Sequence, residues 1–475
     1  MLFREMHLRR PRGSRFPIVR SAALGMVLVG ILAGLGHGQA LLPGDTPQPP
    51  TGPATTTTPP TQPATTQPGT VQPGAAQPGA TPAAPVAYDA LSVDPDQKAN
   101  RIKNLKTVKD ALLATRFAPG EQQVFDDYFE KYALPEWTSP ENVSRLPGFR
   151  TEVQRLLFFG KTGEPHDRLN DLIVKVLGAV ALGVDPEDGR TPRNYHPAAR
   201  VNSALMLGDL NAVEPVPGGP PAQPLEKSFA ILLRIAGDAQ QAEVVRVAAM
   251  VGLSRHVILW RAGGSQPNAA QQVQSLATTL ALQKSPPAGR GAEGHAWLRA
   301  QALAILGELK PSAGASVTGP DGSTVPLAKA MADVAADADT PLLTRTAAMR
   351  TLGHLTYAGV SGLDPSQLAS AVAQFAVDAC AGESNPVNRR RLKARIAAAW
   401  FALCGEEWAP AGQQTPGAIV ALAGAPPHQA VVVGIQSKLR EILVTLDDRR
   451  IDDAELRVKI EPIRAALQQA SPLGT

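Results

Sequence analysis

Residues Gly289 to Gly294 have the spacing of a loop that can bind phosphate, because Gly289, Gly291 and Gly294 match a GxGxxG pattern ahead of a predicted helix. In a dinucleotide site, a strand leads into such a loop and the helix N-terminus holds the pyrophosphate. Here Pro286 and Pro287 follow an apolar helical segment instead of a strand. The context therefore predicts an ordinary loop and no bound cofactor.

A dense run of cations at the start of a predicted helix could bind an anion. This basic run comprises Arg389, Arg390, Arg391, Lys393 and Arg395. The helix dipole disfavours each exposed cation there by about 0.3 to 1 kcal/mol, a cost that an anionic partner would offset. Arg389, Arg390, Arg391 and Lys393 are therefore anion-binding candidates. The alternatives are a solvated helix face and neutralisation by neighbours such as Glu383.

Other patterns for catalysis or metal binding are missing from the sequence. It contains no Walker A loop, GxSxG elbow, CxxCH haem site or HExxH zinc site, and the six histidines after residue 40 are scattered. Cys380 and Cys404 each end a predicted helix, so they lie about 20 Å apart in an antiparallel pair, beyond the ~7 Å that a disulfide spans. We expect no metal site, no cofactor and two buried thiols.

The elements that carry these residues follow one repeated pattern, which is most complete between His295 and Leu309. An arginine is followed by a small residue three positions later, by apolar residues four and seven positions later, and by glycine. The arginines that begin the pattern are Arg200, Arg246, Arg299, Arg345 and, in part, Arg395. They lie 46, 53, 46 and 50 residues apart, which is typical of stacked helical repeats.

This pattern resembles the second helix of HEAT repeats, as in exported bacterial proteins with such domains, over about residues 165–405. The resemblance implies an α-solenoid in which the arginine and an acid in the turn within a pair form ladders between neighbouring repeats. Asp339, six residues before Arg345, matches that acid, and Asp238 matches it more loosely. The resemblance thus implies structural roles for Arg200, Arg246, Arg299, Asp339 and Arg345.

Apolar periodicity and prolines at helix starts predict six antiparallel helix pairs within residues 165–475. First helices are predicted near 167–182, 225–237, 268–283, 326–338, 366–380 and 429–446, and second helices near 197–210, 243–259, 295–309, 341–356, 388–404 and 452–469. Residues 88–164 hold ten of the 21 aromatic residues and predict three helices near 95–116, 120–133 and 148–160. This segment either caps the first repeat with an aromatic core or forms a groove for sugar or peptide. The predicted fold class is all-α, an α-solenoid with an N-terminal helical cap.

The first 87 residues are expected to precede the fold. Residues 1–40 combine six arginines, an apolar run and small residues near Ala40, which predicts a signal peptide or, alternatively, an uncleaved anchor. Residues 41–87 are rich in Pro, Thr, Gln, Gly and Ala and predict a disordered linker spanning on the order of 100 Å. The chain after residue 40 has 40 basic and 41 acidic residues, so we expect no nucleic-acid partner. We predict export to the periplasm or cell envelope, or tethering to the inner membrane if the leader is retained.

Positions two, five and nine after each arginine share the helix side opposite the apolar positions, so they are predicted to be exposed. Partner-binding candidates on that side are Asn202, Asp209, Arg255, Gln301, Glu308, Arg350 and His354. We predict a non-enzymatic scaffold that binds a protein or extended polymer along a concave face. The alternatives are an enzyme, since HEAT-like repeats also occur in lyases acting on bilin pigments, and a structural spacer in an envelope assembly.

Overall fold

The computed structural model describes residues 86–263, 266–319, 322–383, 388–405, 408, 418–424 and 426–470. The predicted signal peptide or anchor and nearly all of the predicted linker lie outside these residues. The described chain is mostly α-helical with a few short strands, which confirms the all-α class. Among the described helices, none combines the length and apolar character needed to cross a membrane.

The N-terminal cap contains more breaks than the sequence predicted. Its helices are α1 (Pro95–Ala99), α2 (Arg101–Ala114), α3 (Glu121–Tyr128) and α4 (Leu146–Gly160), and between α3 and α4 lie a π-helical turn (Phe129–Ala133) and two 3-10 turns (Pro135–Thr138, Pro140–Arg145). The predicted helix 95–116 is divided at Asn100, and the predicted helix 120–133 ends in the π-helical turn. Phe125, Phe129 and Trp137 are fully buried and form the centre of the cap.

Every helix of the six predicted pairs is present, with ends within a few residues of those predicted. The first helices are α5 (Glu164–Leu182), α7 (Glu226–Gly237), α9 (Pro267–Leu282), α11 (Leu327–Ala336) and α13 (Pro365–Gly382). The second helices are α6 (Pro197–Asp209), α8 (Glu243–Gly263), α10 (Ala292–Leu309), α12 (Leu342–His354) and α14 (Arg389–Cys404). After α14 come a short α15 (Ala418–Leu422), α16 (Pro426–Asp447) and α17 (Asp453–Ala470).

Two antiparallel hairpins occupy segments that the sequence left as loops. β1 (Asn211–Val213) pairs with β2 (Gln223–Pro224), and β3 (Ser316–Thr318) pairs with β4 (Thr324–Pro326). Each hairpin connects a second helix to the first helix of the next pair. The proline- and glycine-rich composition of these segments obscured the short strands.

The second helices contact one another in chain order, from α6 through α8, α10 and α12 to α14. The first helices are less evenly packed: α5 contacts α7 and α11 contacts α13, whereas α9 packs chiefly on its partner α10. Grooves separate α9 from α7 and from α11. One layer of helices is therefore closely packed, and the other opens on both sides of α9.

The last helix pair is placed in the reverse order. The segment predicted as a first helix, α16, contacts the second helix α14, and its partner α17 contacts the first helix α13. α16 also contacts α13. The order predicted for this pair is therefore wrong, because the sequence pattern that marks second helices stops at Arg395 and gave no guide to how the terminal helices dock.

Candidate functional site

The repeated arginines bind carbonyl groups at the ends of the first helices. Each guanidinium Nε donates to the carbonyl one residue before the end of the first helix in its own pair. The bonds are Arg200 to Ala181 at 3.3 Å, Arg246 to Ala236 at 3.0 Å, Arg299 to Ala281 at 3.1 Å and Arg345 to Ala335 at 2.6 Å. The last carbonyls of a helix lack partners within it and attract cations, so these arginines act as C-terminal caps. Burial lowers the pKa of Arg200, Arg246 and Arg299.

Two of these arginines also reach the next pair through Nη2. Arg200 donates to the Gln241 side chain, and Arg345 donates to the Asp378 carboxylate at 2.5 Å. The charge of Asp337 opposes the lowering of the Arg299 pKa by burial. Asp339, predicted as the ladder acid, is exposed and contributes its backbone N–H to Asp337 Oδ1 at 3.1 Å. That prediction is corrected: Asp337 directly follows α11, whereas Asp339 lies farther along the exposed turn.

Most residues of the basic run contact acceptor groups within the chain. Arg389 donates to the carbonyls of Asp448 at 3.0 Å and Ile451 at 2.7 Å, in the turn between α16 and α17. Lys393 pairs with Asp447 at the end of α16.

The other members of the run lie at the end of α13 or in solvent. Arg391 lies 3.7 Å from Glu383, the residue after α13, and Arg395 pairs with the same carboxylate, while Arg390 is exposed. Of the four predicted anion-binding residues, Arg389, Arg391 and Lys393 contact groups of the chain itself and link α14 to its neighbours, and Arg390 is exposed. Carboxylates and carbonyls of the protein already offset the unfavourable dipole term.

The predicted partner-binding residues divide into buried and exposed groups. Asn202 is only 3% exposed and its amide donates to the Ala198 carbonyl at 2.9 Å, so its predicted exposure is wrong. α6 lies between α4 and α8, which cover this flank of the helix. Gln301 is half-buried and Arg350 is exposed.

The four partner-binding candidates at position nine, Asp209, Arg255, Glu308 and His354, contact neighbouring elements. Arg255 donates to the Gly208 carbonyl at 3.0 Å and to Asn211 Oδ1 at 2.6 Å. Asp209 accepts from Gln154 at 2.6 Å, and burial raises its pKa while Arg255 and Arg150 oppose that shift.

The other two candidates at position nine also contact neighbouring second helices. Glu308 Oε2 lies 2.9 Å from Arg261 Nη1 on α8. The ring of His354 packs against Phe401 of α14 with ring centres 4.7 Å apart. Arg255, Glu308 and His354 therefore join adjacent second helices, and Asp209 joins α6 to α4 of the cap; all four are poorly suited to bind an extended partner.

The solvent-facing side of the second helices carries a different set of partly exposed residues. We define the second-helix face as Leu205, Val251, Trp297, Gln301, Ala304, Leu343 and Arg350. All lie on the side opposite the repeated arginines. Trp297 and Leu343 were not among the predicted residues. They lie two positions before an arginine, and helical periodicity places that position beside position five. Most residues of the face are apolar.

The aromatic cap contains a cavity of about 390 Å³ beside its core. Tyr132, Trp137 and Phe149 line it, and the Arg145 guanidinium lies 4.9 Å from the centre of the Phe149 ring. In its floor, the buried Asn142 amide donates to Glu136 Oε2 at 2.6 Å. The segment forms both a packed core and a groove, and it contacts α5 and α6 at the start of the repeats.

The loop containing Gly289 and the two cysteines, the remaining sequence motifs, are part of the fold. The loop containing Gly289 follows the helix α9, and Arg290 within it donates to the carbonyls of Ala239 at 3.0 Å and Gln240 at 2.6 Å. Cys380 and Cys404 are buried and are not joined by a disulfide. Within the described ranges, no three His, Cys, Asp or Glu side chains are grouped closely enough to hold a metal ion.

His256 is expected to make the protein sensitive to acid. Its ring is fully buried on α8 beside Phe229 and Trp260, 3.4 Å from Ser228 Oγ, and burial lowers its pKa to about 3, with a smaller effect from Arg255. The folded state therefore favours the neutral His256 ring. The contribution of His256 to stability is complete above the unfolded pKa near 6.5 and is lost as the pH drops from 6.5 towards 3. At pH 5 the loss should reach about 2 kcal/mol.

Urea unfolding at pH 7 and pH 5 checks this prediction. His256→Gln, which cannot titrate, should lose less stability between these pH values than the wild type. His428→Gln, at a partly exposed histidine, serves as the control and should lose as much as the wild type. Equal losses in the wild type and His256→Gln would contradict the prediction.

Comparisons of the chain with protein-family models, with curated proteins and with solved structures find no match.

Proposed function

We propose that residues 164–470 form a HEAT-like α-solenoid and that the protein is an exported, non-enzymatic scaffold that binds a protein partner on the second-helix face. The composition of residues 1–40 supports export through an N-terminal leader, which is either cleaved or retained at the envelope. In a solenoid each repeat packs on its neighbours and the stack offers one long binding surface.

The packing of the two helix layers supports a concave second-helix side. α10 keeps close contacts with both α8 and α12, whereas its partner α9 is separated from α7 and α11 by grooves. A stack whose helices are closely packed in one layer and separated by grooves in the other curves towards the closely packed layer. The second-helix face would then line the inner surface.

The composition of that face carries the proposal. Leu343 is 38% exposed, and Trp297, Val251 and Leu205 are each partly exposed on successive second helices. Arg350 is its charged member. Interface cores in proteins are depleted in charge and enriched in Trp and Arg, so this surface suits an apolar protein segment better than a charged polymer.

A charge-introducing variant tests the proposal. Ala304→Glu, Leu343→Glu and Arg350→Glu combined should weaken partner capture at least tenfold, because three carboxylates would be desolvated in the interface. Capture from envelope fractions of the source cells is quantified by mass spectrometry. The melting temperature should change little, since all three side chains project into solvent.

The matched control places the same charges on the first helices. Arg234→Glu, Gln271→Glu and Ser275→Glu are exposed on α7 and α9 and should leave capture at the wild-type level. Equal capture by the wild type and by both triple variants would remove the second-helix face as the binding surface.

A further inference from the structure

The helices α2 and α4 of the cap carry an excess of positive charge. Together they contain six Lys or Arg residues and two acids, Asp110 and Glu152. The excess is local, because the chain after residue 40 has 40 basic and 41 acidic residues. Residues 46–85, which precede the described part of the cap, contain no charged side chain and leave the excess unchanged.

One face of α2 combines this charge with exposed apolar side chains. The face consists of residues that follow one another at intervals of three or four, namely Ile102, Lys106, Lys109 and Leu113. All four are exposed, Ile102 by 78% and Leu113 by 67%. Two lysines thus lie between two apolar residues on the solvent-facing side of α2.

The helix α4 continues this surface. A groove of about 400 Å³ separates α4 from α2, and Lys109, Arg155 and Phe159 are among the residues that line it. Phe159 is 48% exposed, and Glu152 is the acid in the lining. We define the cap surface as Ile102, Lys106, Lys109, Leu113, Arg155 and Phe159.

The cations of the cap surface take no part in holding the fold together. Among the described residues, Lys106, Lys109 and Arg155 form no ion pair and no side-chain hydrogen bond. Arg389 and Lys393 of the basic run differ, because they contact a carbonyl and a carboxylate of the chain. The charge of the cap surface is therefore available to an anionic partner.

The exposed apolar side chains beside these cations specify the kind of partner. Large apolar side chains that lie together on a surface mark interaction sites, and the exposed phenylalanines of the described chain, Phe158 and Phe159, are both on α4. An anionic membrane offers phosphates to the lysines and an apolar layer to Ile102, Leu113 and Phe159. A polyanion such as heparin would contact the cations but would leave these apolar side chains in water.

We propose that the cap surface binds the headgroup layer of an anionic membrane, with its cations on lipid phosphates and its apolar side chains in the layer below them. The contact is peripheral and would hold the repeats near the membrane whether the leader is cleaved or retained. It is independent of the second-helix face, because the two surfaces share no residue.

A polarity-sensitive fluorophore at position 113 tests the contact in the full chain. Leu113→Cys can be labelled selectively, because Cys380 and Cys404 are buried. Vesicles of phosphatidylcholine with phosphatidylglycerol should shift its emission to shorter wavelength, whereas vesicles of phosphatidylcholine alone should not. The same label at Ser275→Cys, exposed on α9, should not respond, which separates contact of the cap from attachment through the leader. No response at position 113, or equal responses at both positions, would overturn the proposal.

Two variants of the labelled chain separate the contribution of charge from that of apolar contact. Lys106→Gln, Lys109→Gln and Arg155→Gln combined should remove most of the response at position 113, since each cation near an anionic surface adds to the attraction. Ile102→Ser with Phe159→Ser keeps the charge and should also remove most of the response, because less apolar surface would enter the lipid. Circular dichroism checks that each variant is folded. If Phe159→Ser alters the fold, Ile102→Ser alone decides.

The matched control removes three exposed cations elsewhere in the chain and should keep the full response; the substitutions are Arg190→Gln, Arg234→Gln and Arg457→Gln. Heparin, a polyanion without an apolar layer, should produce no shift at position 113. A full response in either folded variant of the cap surface, or a shift with heparin equal to the shift with vesicles, would overturn the proposal.

Discussion

Replacing Leu306 with aspartate should unfold the repeat region as a whole. Leu306 is fully buried on α10, which packs against α8, α9 and α12. An unpaired buried carboxylate costs several kcal/mol, a large part of the 5 to 15 kcal/mol that typically stabilises a domain. Because α10 packs against helices of both neighbouring pairs, the loss should spread beyond one pair. We expect the melting temperature to fall by about 10 °C or more, with loss of helical circular dichroism.

The control for this experiment lies two residues away on the same helix. Ala304 is exposed on the second-helix face, so Ala304→Asp should melt within about 2 °C of the wild type. Both variants place an aspartate on the same helix, where position 306 is buried and position 304 is exposed. A Leu306→Asp protein that melts with the wild type would show that the apolar positions of the repeat do not form the core.

The helices could be predicted because their signals are local. Pro197, Pro267 and Pro365 each occupy the first position of a helix, where the missing N–H costs nothing, and the apolar residues recur with helical spacing. The role of the arginines came from the HEAT resemblance. Their contact with the Ala236 or Ala335 carbonyl was not foreseen, because a sequence pattern does not show which backbone group a side chain meets.

The candidate site was harder to predict because it depends on contacts between distant segments. The exposure of Asn202 was inferred from the period of one helix, which does not reveal that helices on both sides cover its flank. Two partners of the basic run, Asp447 and the Ile451 carbonyl, follow it by more than fifty residues. Helical periodicity therefore identified the outward side of each second helix but not which of its residues are already engaged.

A glycine-to-alanine substitution should have opposite effects in two helices. At Gly208 on α6, an added Cβ would lie 2.5 Å from the Cα of Gly252 on α8, a contact with backbone that no side-chain rotation can relieve. At Gly434 on α16, an added Cβ meets nothing within 4 Å. Alanine normally stabilises a helix interior by roughly 0.5 to 1 kcal/mol relative to glycine. Gly434→Ala should therefore raise the free energy of unfolding by about that amount.

Gly208→Ala should lower the free energy of unfolding, because the gain in helix propensity is smaller than the cost of separating α6 from α8. Overpacking of this kind costs about 1 to 3 kcal/mol, and the backbone contact places Gly208 at or beyond the upper end of that range. Urea unfolding of both variants beside the wild type measures the difference. If Gly208→Ala were as stable as Gly434→Ala, α6 and α8 could not cross at Gly208 and Gly252, and the close packing of the second helices would have to be discarded.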